Sequence, residues 1–250
     1  MPEDIESVFN LKNGILARTL FLFHRCLRGI GVRLLDNRLI NPRRFSNALL
    51  RFYAPVFGGR VINVSGWDDR DKEGSYYKEY FKNCSDYLIS NVSGKEKGMG
   101  SVKKNGSEEM ELDLEKPLPP DLKGEFDVVF NHTTLEHIFN IEQAFENLCE
   151  LSKDVVILVI PVFQQLHILE TYGDYWRMTT LGIARMFKKN GFEPLVIQVN
   201  DQPFAPIYCF AIAARDPRKY EGKIEKRLDF EMGKFLYGSG IKGQKVEKLL

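Results

Sequence analysis

Residues 126–137 of the chain read FDVVFNHTTLEH. Phe126, Val128, Val129 and Phe130 form an apolar run that ends abruptly in polar residues, and a helical pattern follows. In an open parallel sheet, ligands bind in the crevice outside the carboxyl ends of the strands. We therefore expect a functional site among the residues that follow Phe130. These residues are Asn131, His132, Thr133, Thr134, Glu136 and His137.

Short apolar segments alternate with helical patterns from residue 59 onward, which is typical of a parallel sheet built from βαβ units. The predicted strands are 60–64, 87–90, 110–112, 126–131, 155–160, 195–199 and 207–213. One predicted helix begins after Asn140, with Gln143 three residues later as in a capping box. Another begins after Thr179 and ends at Gly191, behind a cationic last turn. The pattern predicts a doubly wound α/β domain.

Composition and charge favour an ordinary globular protein, with 44% hydrophobic and 28% charged residues. The four cysteines, at 26, 84, 149 and 209, are widely scattered, and no Cys/His spacing suggests zinc. We therefore predict free thiols in a reducing compartment and no metal site. The acidic start of the chain is unlike a signal peptide, and no apolar run approaches the roughly 20 residues that span a bilayer. We expect a cytoplasmic protein.

The two ends of the chain are predicted to flank an α/β domain at 59–215. Residues 1–58 are expected to form a basic, helical extension, in which 14–35 is an amphipathic helix with arginines opposite an apolar stripe. That helix either contacts a membrane surface or a partner, or packs on the main domain beneath a second helix. Residues 92–109 are rich in Gly, Ser and Lys and predict a long loop. Residues 216–250 are expected to form a peripheral helix and a tail.

Three segments, taken in order, resemble class I S-adenosylmethionine-dependent methyltransferases, and the resemblance covers roughly residues 58–214. The first runs from Asp113-Leu114 through FDVVFNHTTLEH, and the second is the strand that ends at Pro161. The third is His167 followed by residues 173–192, GDYWRMTTLGIARMFKKNGF. The chain is most similar to the small enzymes associated with surface-glycan and lipid-linked sugar modification.

The resemblance implies a Rossmann-like, mostly parallel sheet of seven strands whose last strand is antiparallel. It also implies that S-adenosyl-L-methionine lies across the carboxyl ends of the first strands. By this correspondence Asp113 would accept a hydrogen bond from the adenine amino group, and Asn131 and His132 would border the methyl group and its acceptor. The implied cofactor-binding residues are Asn63, Ser65, Gly66, Trp67, Asp68, Asn91, Asp113, Leu114 and Asn131.

The loop after the first strand departs from the family pattern. Asn63 replaces an acidic residue, Gly66 stands alone, and Trp67 falls near where another glycine is expected. Glycines suit this loop because they tolerate positive φ and let the backbone approach a ligand closely. Asn91 also replaces an acid that would bind the ribose hydroxyls. The acids of 68–71 could compensate, or the chain could be a degenerate relative that binds or scaffolds without catalysis.

Methyl transfer from a sulfonium is an in-line displacement, so holding donor and acceptor in line can supply about 7–11 kcal/mol of the barrier. A base adds about 10²–10⁴-fold when the acceptor is a hydroxyl. We predict His132 as this base and His167 as the second candidate. Asp174 and Arg177 would position substrate, or pair with each other.

The expected acceptor is a small molecule or a glycan. An Asn/Asp-Pro-Pro-aromatic run is absent after the fourth strand, which argues against a nucleic-acid base. A homodimer is left open by the sequence.

Overall fold

The computed structural model describes residues 41–92, 109–168, 172–200 and 206–230, together with a few helical positions between 19 and 30. Most of the predicted loop at 92–109 and residues 231–250 of the predicted C-terminal helix and tail therefore lie outside the described residues. The described part of that segment, 216–230, holds a 3-10 turn and a two-residue strand where a helix was predicted. At the described positions of the predicted amphipathic helix, Leu22, Phe23, Leu27 and Ile30 are exposed. Packing of the apolar stripe on the main domain is thus not observed at these positions.

The described chain forms one eight-stranded sheet with helices on both faces. The strands are β1 (Gly58–Val64), β2 (Asn83–Asn91), β3 (Glu109–Glu111), β4 (Phe126–His132), β5 (Ser152–Phe163), β6 (Glu193–Val199), β7 (Ile207–Ala214) and β8 (Arg227–Leu228). The α-helices are α1 (Pro42–Tyr53), α2 (Ile141–Leu151) and α3 (Thr180–Lys189). Single 3-10 turns lie at Ala54–Val56, Tyr77–Tyr80, Pro120–Leu122, Leu135–His137 and Pro217–Tyr220.

The strand order is β3-β2-β1-β4-β5-β7-β6-β8, and β7 runs antiparallel to both β5 and β6. The remaining strand pairs are parallel. All seven predicted strands and the antiparallel seventh strand are confirmed. The two-residue β8, which pairs with β6, is an addition that the sequence pattern did not predict because so short a strand has no period.

Alternate residues of the central strands enter two apolar layers, as the period-2 geometry of a strand requires. Val61 of β1 and Val128 of β4 face one layer, while Ile62 and Val129 face the other. Helices α2 and α3 cover the second layer, and α1 covers the first with the aromatic turn around Tyr77. Both faces are therefore buried, which explains why these strands are almost continuously apolar.

The order of the strands reverses at β1, whose neighbours are β2 on one side and β4 on the other. Val64 at the end of β1 lies in register with Asn131 of β4. The loop after β1 and the turn after β4 consequently leave the sheet side by side. This is the switch point at which open α/β sheets bind ligands.

Three helix-end signals were predicted, and the two that belong to α3 are confirmed. Thr179 caps α3 by accepting from the Gly182 N–H at 3.1 Å, and Gly191 adopts a φ of 76° beyond its last turn. The capping box predicted for α2 is wrong. Asn140 occupies the N-cap position without a side-chain cap bond, and Gln143 donates to Asn147 of the next turn instead.

Helix α1, which falls within the predicted N-terminal extension, packs on the central domain. Asn41 caps it by accepting from the N–H groups of Arg43 and Arg44, and Pro42 fills the first helical position, where no N–H is needed. Leu50 and Tyr53 are buried in the apolar layer over β7. None of the helices within the described ranges is long and apolar enough to cross a membrane.

The fold predicts a large difference between two phenylalanines. Phe130 in β4 is fully buried between the rings of Tyr77 and Phe81, so Phe130→Ala should lower the free energy of unfolding by about 3–5 kcal/mol. Phe52 of α1 is 72% exposed, and Phe52→Ala should change it by less than about 1 kcal/mol. Urea denaturation of both variants measures the difference. Equal losses would contradict the placement of β4 at the centre of the sheet.

Candidate active site

A cavity of about 710 Å³ opens at the carboxyl ends of β1, β2 and β4. Its volume lies within the roughly 300–1,000 Å³ that is usual for small-molecule sites. The start of α1 and the segment that follows β5 complete its wall. Ten of the predicted site residues line it: Asn63, Ser65, Gly66, Trp67, Asp68, Asn91, Asp113, Leu114, His132 and His167.

The first part of the loop after β1, residues 65–69, takes backbone conformations that favour glycine although Gly66 is its one glycine. Ser65, Trp67 and Asp69 have φ values of 57°, 51° and 61°, in the left-handed region that favours glycine. Each such residue costs roughly 1–2 kcal/mol. Trp67 is 39% exposed, and its side chain borders the cavity rather than filling it. The groove beside Gly66 is therefore open.

Gly66 is required by contact with Asn63. A Cβ atom at residue 66 would lie 2.5 Å from the Asn63 Nδ2 atom, closer than real side chains approach. The Asn63 amide is itself held, because Nδ2 donates to Asp69 Oδ1 at 2.7 Å. Asn63, which stands where the resemblance leads one to expect an acidic residue, thus supports the loop through its contacts with Gly66 and Asp69.

Two of the three loop acids point away from the cavity, which corrects the expectation that they could contact a cofactor. Asp69 also accepts from the Tyr87 hydroxyl and the Lys78 N–H, and burial raises the pKa of its carboxyl. Asp71 is fully buried and accepts from Arg51 at 2.9 Å. Asp68 lines the cavity and pairs with Arg70 at 3.3 Å.

Asn91 lines the cavity but is largely committed to the protein. Its Oδ1 accepts from the Trp67 N–H at 2.8 Å, and its Nδ2 donates to the Trp67 carbonyl and to Glu109. The side chain therefore fixes the backbone of Trp67. Toward ribose hydroxyls it offers the remaining lone pair of Oδ1 rather than a free amide.

Asp113 and Leu114 follow β3 at the far wall of the cavity. The Asp113 carboxylate accepts from the Glu115 N–H at 3.0 Å and pairs with Lys116 at 3.4 Å. It is thus a turn residue that also lines the cavity, and its contact with an adenine amino group stays a prediction.

Asn131 does not line the cavity, which corrects its predicted place beside a cofactor. It is fully buried, and its Nδ2 donates to the Val64 carbonyl at 2.9 Å. This bond ties β4 to the end of β1. The neighbouring residue along the strand, His132, reaches the cavity instead.

His132 is held between two hydroxyl groups. Its Nε2 lies 3.0 Å from Ser46 Oγ, and its Nδ1 lies 3.0 Å from Thr133 Oγ1. Burial, reinforced by the Arg43 guanidinium, lowers the pKa of His132 well below its usual value. The imidazole is therefore neutral at pH 7. Thr133 adopts a φ of 50°, a strained conformation for a β-branched residue at the turn of the site.

A second group of titratable side chains also lines the cavity. Glu136 and His137 belong to the 3-10 turn after β4, and His167 comes from the segment after β5. The Nε2 atoms of the two histidines are 3.0 Å apart. Burial raises the pKa of Glu136 to about 8 and lowers that of His137. No role was predicted for Glu136, because His167 lies 31 residues further along the chain and no sequence pattern places the two together.

Asp174 does not line the cavity, and of its two predicted roles the structure shows the pairing with Arg177. Two nitrogens of the Arg177 guanidinium donate hydrogen bonds to the Asp174 carboxylate, at 2.5 and 2.6 Å. Burial opposes ionisation, but these bonds outweigh it and lower the pKa of Asp174 to about 2. Its Oδ2 accepts from the His167 N–H at 3.0 Å and lies 3.1 Å from His167 Nδ1. Asp174 therefore positions His167.

Four cations that the sequence analysis did not assign to the site also line the cavity. They are Arg43, Arg44, Arg70 and Lys72. Arg43 donates to the Tyr77 hydroxyl at 2.9 Å and reaches Thr133 Oγ1 at 3.5 Å. In the sequence, Asn41 and Pro42 indicate that a helix begins there. They do not indicate that this helix packs beside the cavity.

Comparison with known proteins links this fold to methyltransferases. No protein-family model matches the chain, and no curated protein matches it. A solved structure of 1,6-didemethyltoxoflavin-N1-methyltransferase from Burkholderia thailandensis, with bound 1,6-didemethyltoxoflavin and S-adenosylhomocysteine, is similar at a TM-score of 0.50 and 15% identity, over 78% of this chain and 89% of that one.

Two further solved structures are similar at lower scores. The magnesium protoporphyrin IX methyltransferase of Synechocystis PCC 6803, with bound S-adenosylmethionine, gives a TM-score of 0.45 and 16% identity over 73% of this chain and 86% of that one. An S-adenosylmethionine-dependent methyltransferase of Mesorhizobium loti gives 0.47 and 14% over 67% and 96%.

The strand order and the antiparallel β7, together with the first of these likenesses, define the class. The chain has the fold of the class I S-adenosylmethionine-dependent methyltransferases. At 15% identity the likeness establishes the fold and not the reaction.

The contact between Gly66 and Asn63 makes a specific prediction. Gly66→Ala should lower the free energy of unfolding by about 1–3 kcal/mol, because a side chain would be forced into the Asn63 amide. The double variant Gly66→Ala with Asn63→Ala should show a coupling of at least about 0.5 kcal/mol relative to the two single variants. Strict additivity in urea denaturation would contradict the contact.

His132 makes a prediction about pH. Above its unfolded pKa of about 6.5 the imidazole is neutral in both states, and stability is fully present. As the pH falls below that value, the imidazole takes up a proton in the unfolded chain but not in the folded chain. The free energy of unfolding therefore decreases. Between pH 7.5 and 5.5 the wild type should lose about 1.4 kcal/mol more than His132→Asn. Parallel losses in denaturant titrations of the two proteins would contradict the depressed pKa.

Proposed function

We propose that the chain binds S-adenosyl-L-methionine in this cavity and transfers its methyl group to a small-molecule or glycan-type acceptor. The observation that carries the proposal is the open groove beside Gly66 at the switch point of the sheet. The loop after β1 keeps a left-handed backbone path there without the usual glycines. The Burkholderia thailandensis methyltransferase with a similar fold was solved with S-adenosylhomocysteine bound, which supports the choice of ligand.

The two halves of the cavity suit the two reactants. Ser65, Trp67 and Asp68 on one side, with Asn91 and Asp113 nearby, offer backbone and carboxylate groups to an adenosine and a methionine moiety. The acceptor would occupy the half between His132 and the start of α1. Transfer breaks the bond between the methyl carbon and sulfur and forms a bond from that carbon to the acceptor atom. The acceptor's proton goes to a base.

His132 is the proposed base. It is neutral at pH 7, so a ring nitrogen is free of a second proton, and it borders the cavity. Arg43 lowers the proton affinity of that ring, so His132 would take a proton only from an acceptor oxygen or nitrogen that becomes acidic as the methyl group arrives. Most of the acceleration would therefore come from alignment of donor and acceptor, as in-line transfer permits.

The acceptor is proposed to carry a negative group. Arg43, Arg44 and Lys72 line the half of the cavity near α1, and Arg43 and Lys72 repel each other enough to lower the pKa of the lysine. An anionic acceptor would relieve that repulsion. Phosphorylated or acidic sugars, the surface-glycan precursors that the sequence resemblance suggests, have this charge. A cytoplasmic location, membrane contact through residues 14–35 and a homodimer stay predictions from the sequence.

Calorimetric titration with S-adenosylhomocysteine tests the cofactor step. We expect one site per chain. Asp113→Asn should weaken binding by about 10–100-fold through loss of a charge-assisted hydrogen bond of roughly 1.5–3 kcal/mol. The matched control Asp121→Asn, at an exposed aspartate of the 3-10 turn Pro120–Leu122, should bind as the wild type does. No heat and no thermal shift at millimolar ligand would favour the alternative, a scaffold that has kept the fold and lost the cofactor.

A further inference from the structure

Glu136, His137 and His167 bring one carboxylate and two imidazoles to a single point of the cavity wall. One ligand atom from each residue lies within 4.8 Å of the other two. The two Nε2 atoms are 3.0 Å apart, and His137 Nε2 lies 3.7 Å from Glu136 Oε1. Two ligand atoms at about 2.1 Å from a tetrahedral Zn²⁺ are about 3.4 Å from each other. The two spacings of 3.0 and 3.7 Å lie on either side of this value.

The atoms behind the two imidazoles favour lone pairs that face this point. His137 Nδ1 lies 2.6 Å from the Gly173 carbonyl, which can only accept, so the neutral ring donates there and leaves Nε2 unprotonated. His167 Nδ1 lies 3.1 Å from the Asp174 carboxylate, which is anchored by Arg177. Outer carbonyl and carboxylate partners of this kind orient metal-binding histidines.

Glu136 supplies an independent observation. The residue is 0% exposed, and neither carboxyl oxygen has a hydrogen-bond partner within the part of the chain that the structure describes. A buried carboxyl group without partners costs free energy unless something satisfies it. Its backbone is fixed, because the Glu136 carbonyl accepts from the Tyr175 and Trp176 N–H groups.

A different proton arrangement would need no ion. Gln164 Nε2 lies 2.7 Å from His167 Nδ1, so it could donate there while His167 Nε2–H donates to His137. That chain satisfies both histidines but leaves the Glu136 carboxyl oxygens without a partner. A cation at the common point would give a partner to Glu136 as well as to both histidines. The arrangement with an ion is therefore favoured over the ion-free one.

We propose that Glu136, His137 and His167 form a binding site for a divalent transition-metal ion of the zinc class, with its remaining position open to the cavity. Two histidines and one carboxylate are a ligand set that such ions accept, and three protein ligands leave room for a water or substrate oxygen. The side chain of His167 is 37% exposed, which gives the ion a path of entry. Binding at this site does not depend on methyl transfer; under the proposed function, an oxygen of the acceptor would occupy the open position.

The test is metal binding by the full-length, chelator-treated chain. Zn²⁺ competition against a chromophoric chelator should give one tight site per chain. His137→Gln, His167→Gln and Glu136→Gln should each weaken it by more than about 100-fold, beyond the usual cost of losing an outer partner. The control Glu142→Gln removes an exposed carboxylate that pairs with Lys189 and should leave the affinity unchanged. A Cys26→Ser/Cys84→Ser variant, which lacks two thiols that are not buried, should also bind as the wild type does.

Substitution with Co²⁺ keeps the proposal testable even where a variant fails to fold. The wild type should show visible d–d bands without a thiolate charge-transfer band, and the ion should raise the melting temperature. A thiolate band, no site tighter than millimolar, or ligand variants that bind as tightly as the wild type would each overturn the proposal. S-adenosylhomocysteine titration of Glu136→Gln separates this result from the proposed function, because cofactor binding there should persist.

Discussion

The buried carboxylate of Asp69 is the interaction on which the site depends. Its two oxygens accept from Asn63 of β1, from Tyr87 of β2 and from the backbone of Lys78. One side chain thus joins two adjacent strands to the aromatic turn beneath the cavity. Because these bonds hold the loop at both ends, residues that would otherwise avoid positive φ remain in that conformation. The groove stays open as a consequence.

Much of the fold could be predicted from the sequence, because it follows from periodicity. The central strands are buried on both faces, so their apolar runs stand out, and Gly191 and Thr179 mark the limits of α3 chemically. The reversal at β1 then follows from the order of elements that the resemblance supplied. β8 was not predicted because two residues are too few to show a period. The capping box at Asn140 was wrong because Gln143 bonds Asn147 along the helix and does not reach back to Asn140.

The site was predictable only in part, for a different reason. Residues next to strand ends, such as Gly66 and His132, are placed by the topology itself. Which way a side chain turns is a tertiary matter: Asn131 faces β1, Asp69 faces the core, and Asp174 faces Arg177. The association of His137 with His167 depends on how the segment after β5 folds back over the turn after β4. No local pattern encodes that contact.

Helix α1 has a consequence for how such a protein can diversify. The sheet and the loop after β1 build one half of the cavity, whereas Arg43 and Arg44 line the other half from a helix that precedes the first strand. From the same helix, Ser46 contacts His132 behind the cavity wall. Substitutions along one turn of that helix would reshape the wall without disturbing a single strand pairing. Under the proposed function, acceptor selectivity would therefore depend on the first turns of α1, whereas the sheet would hold the cofactor.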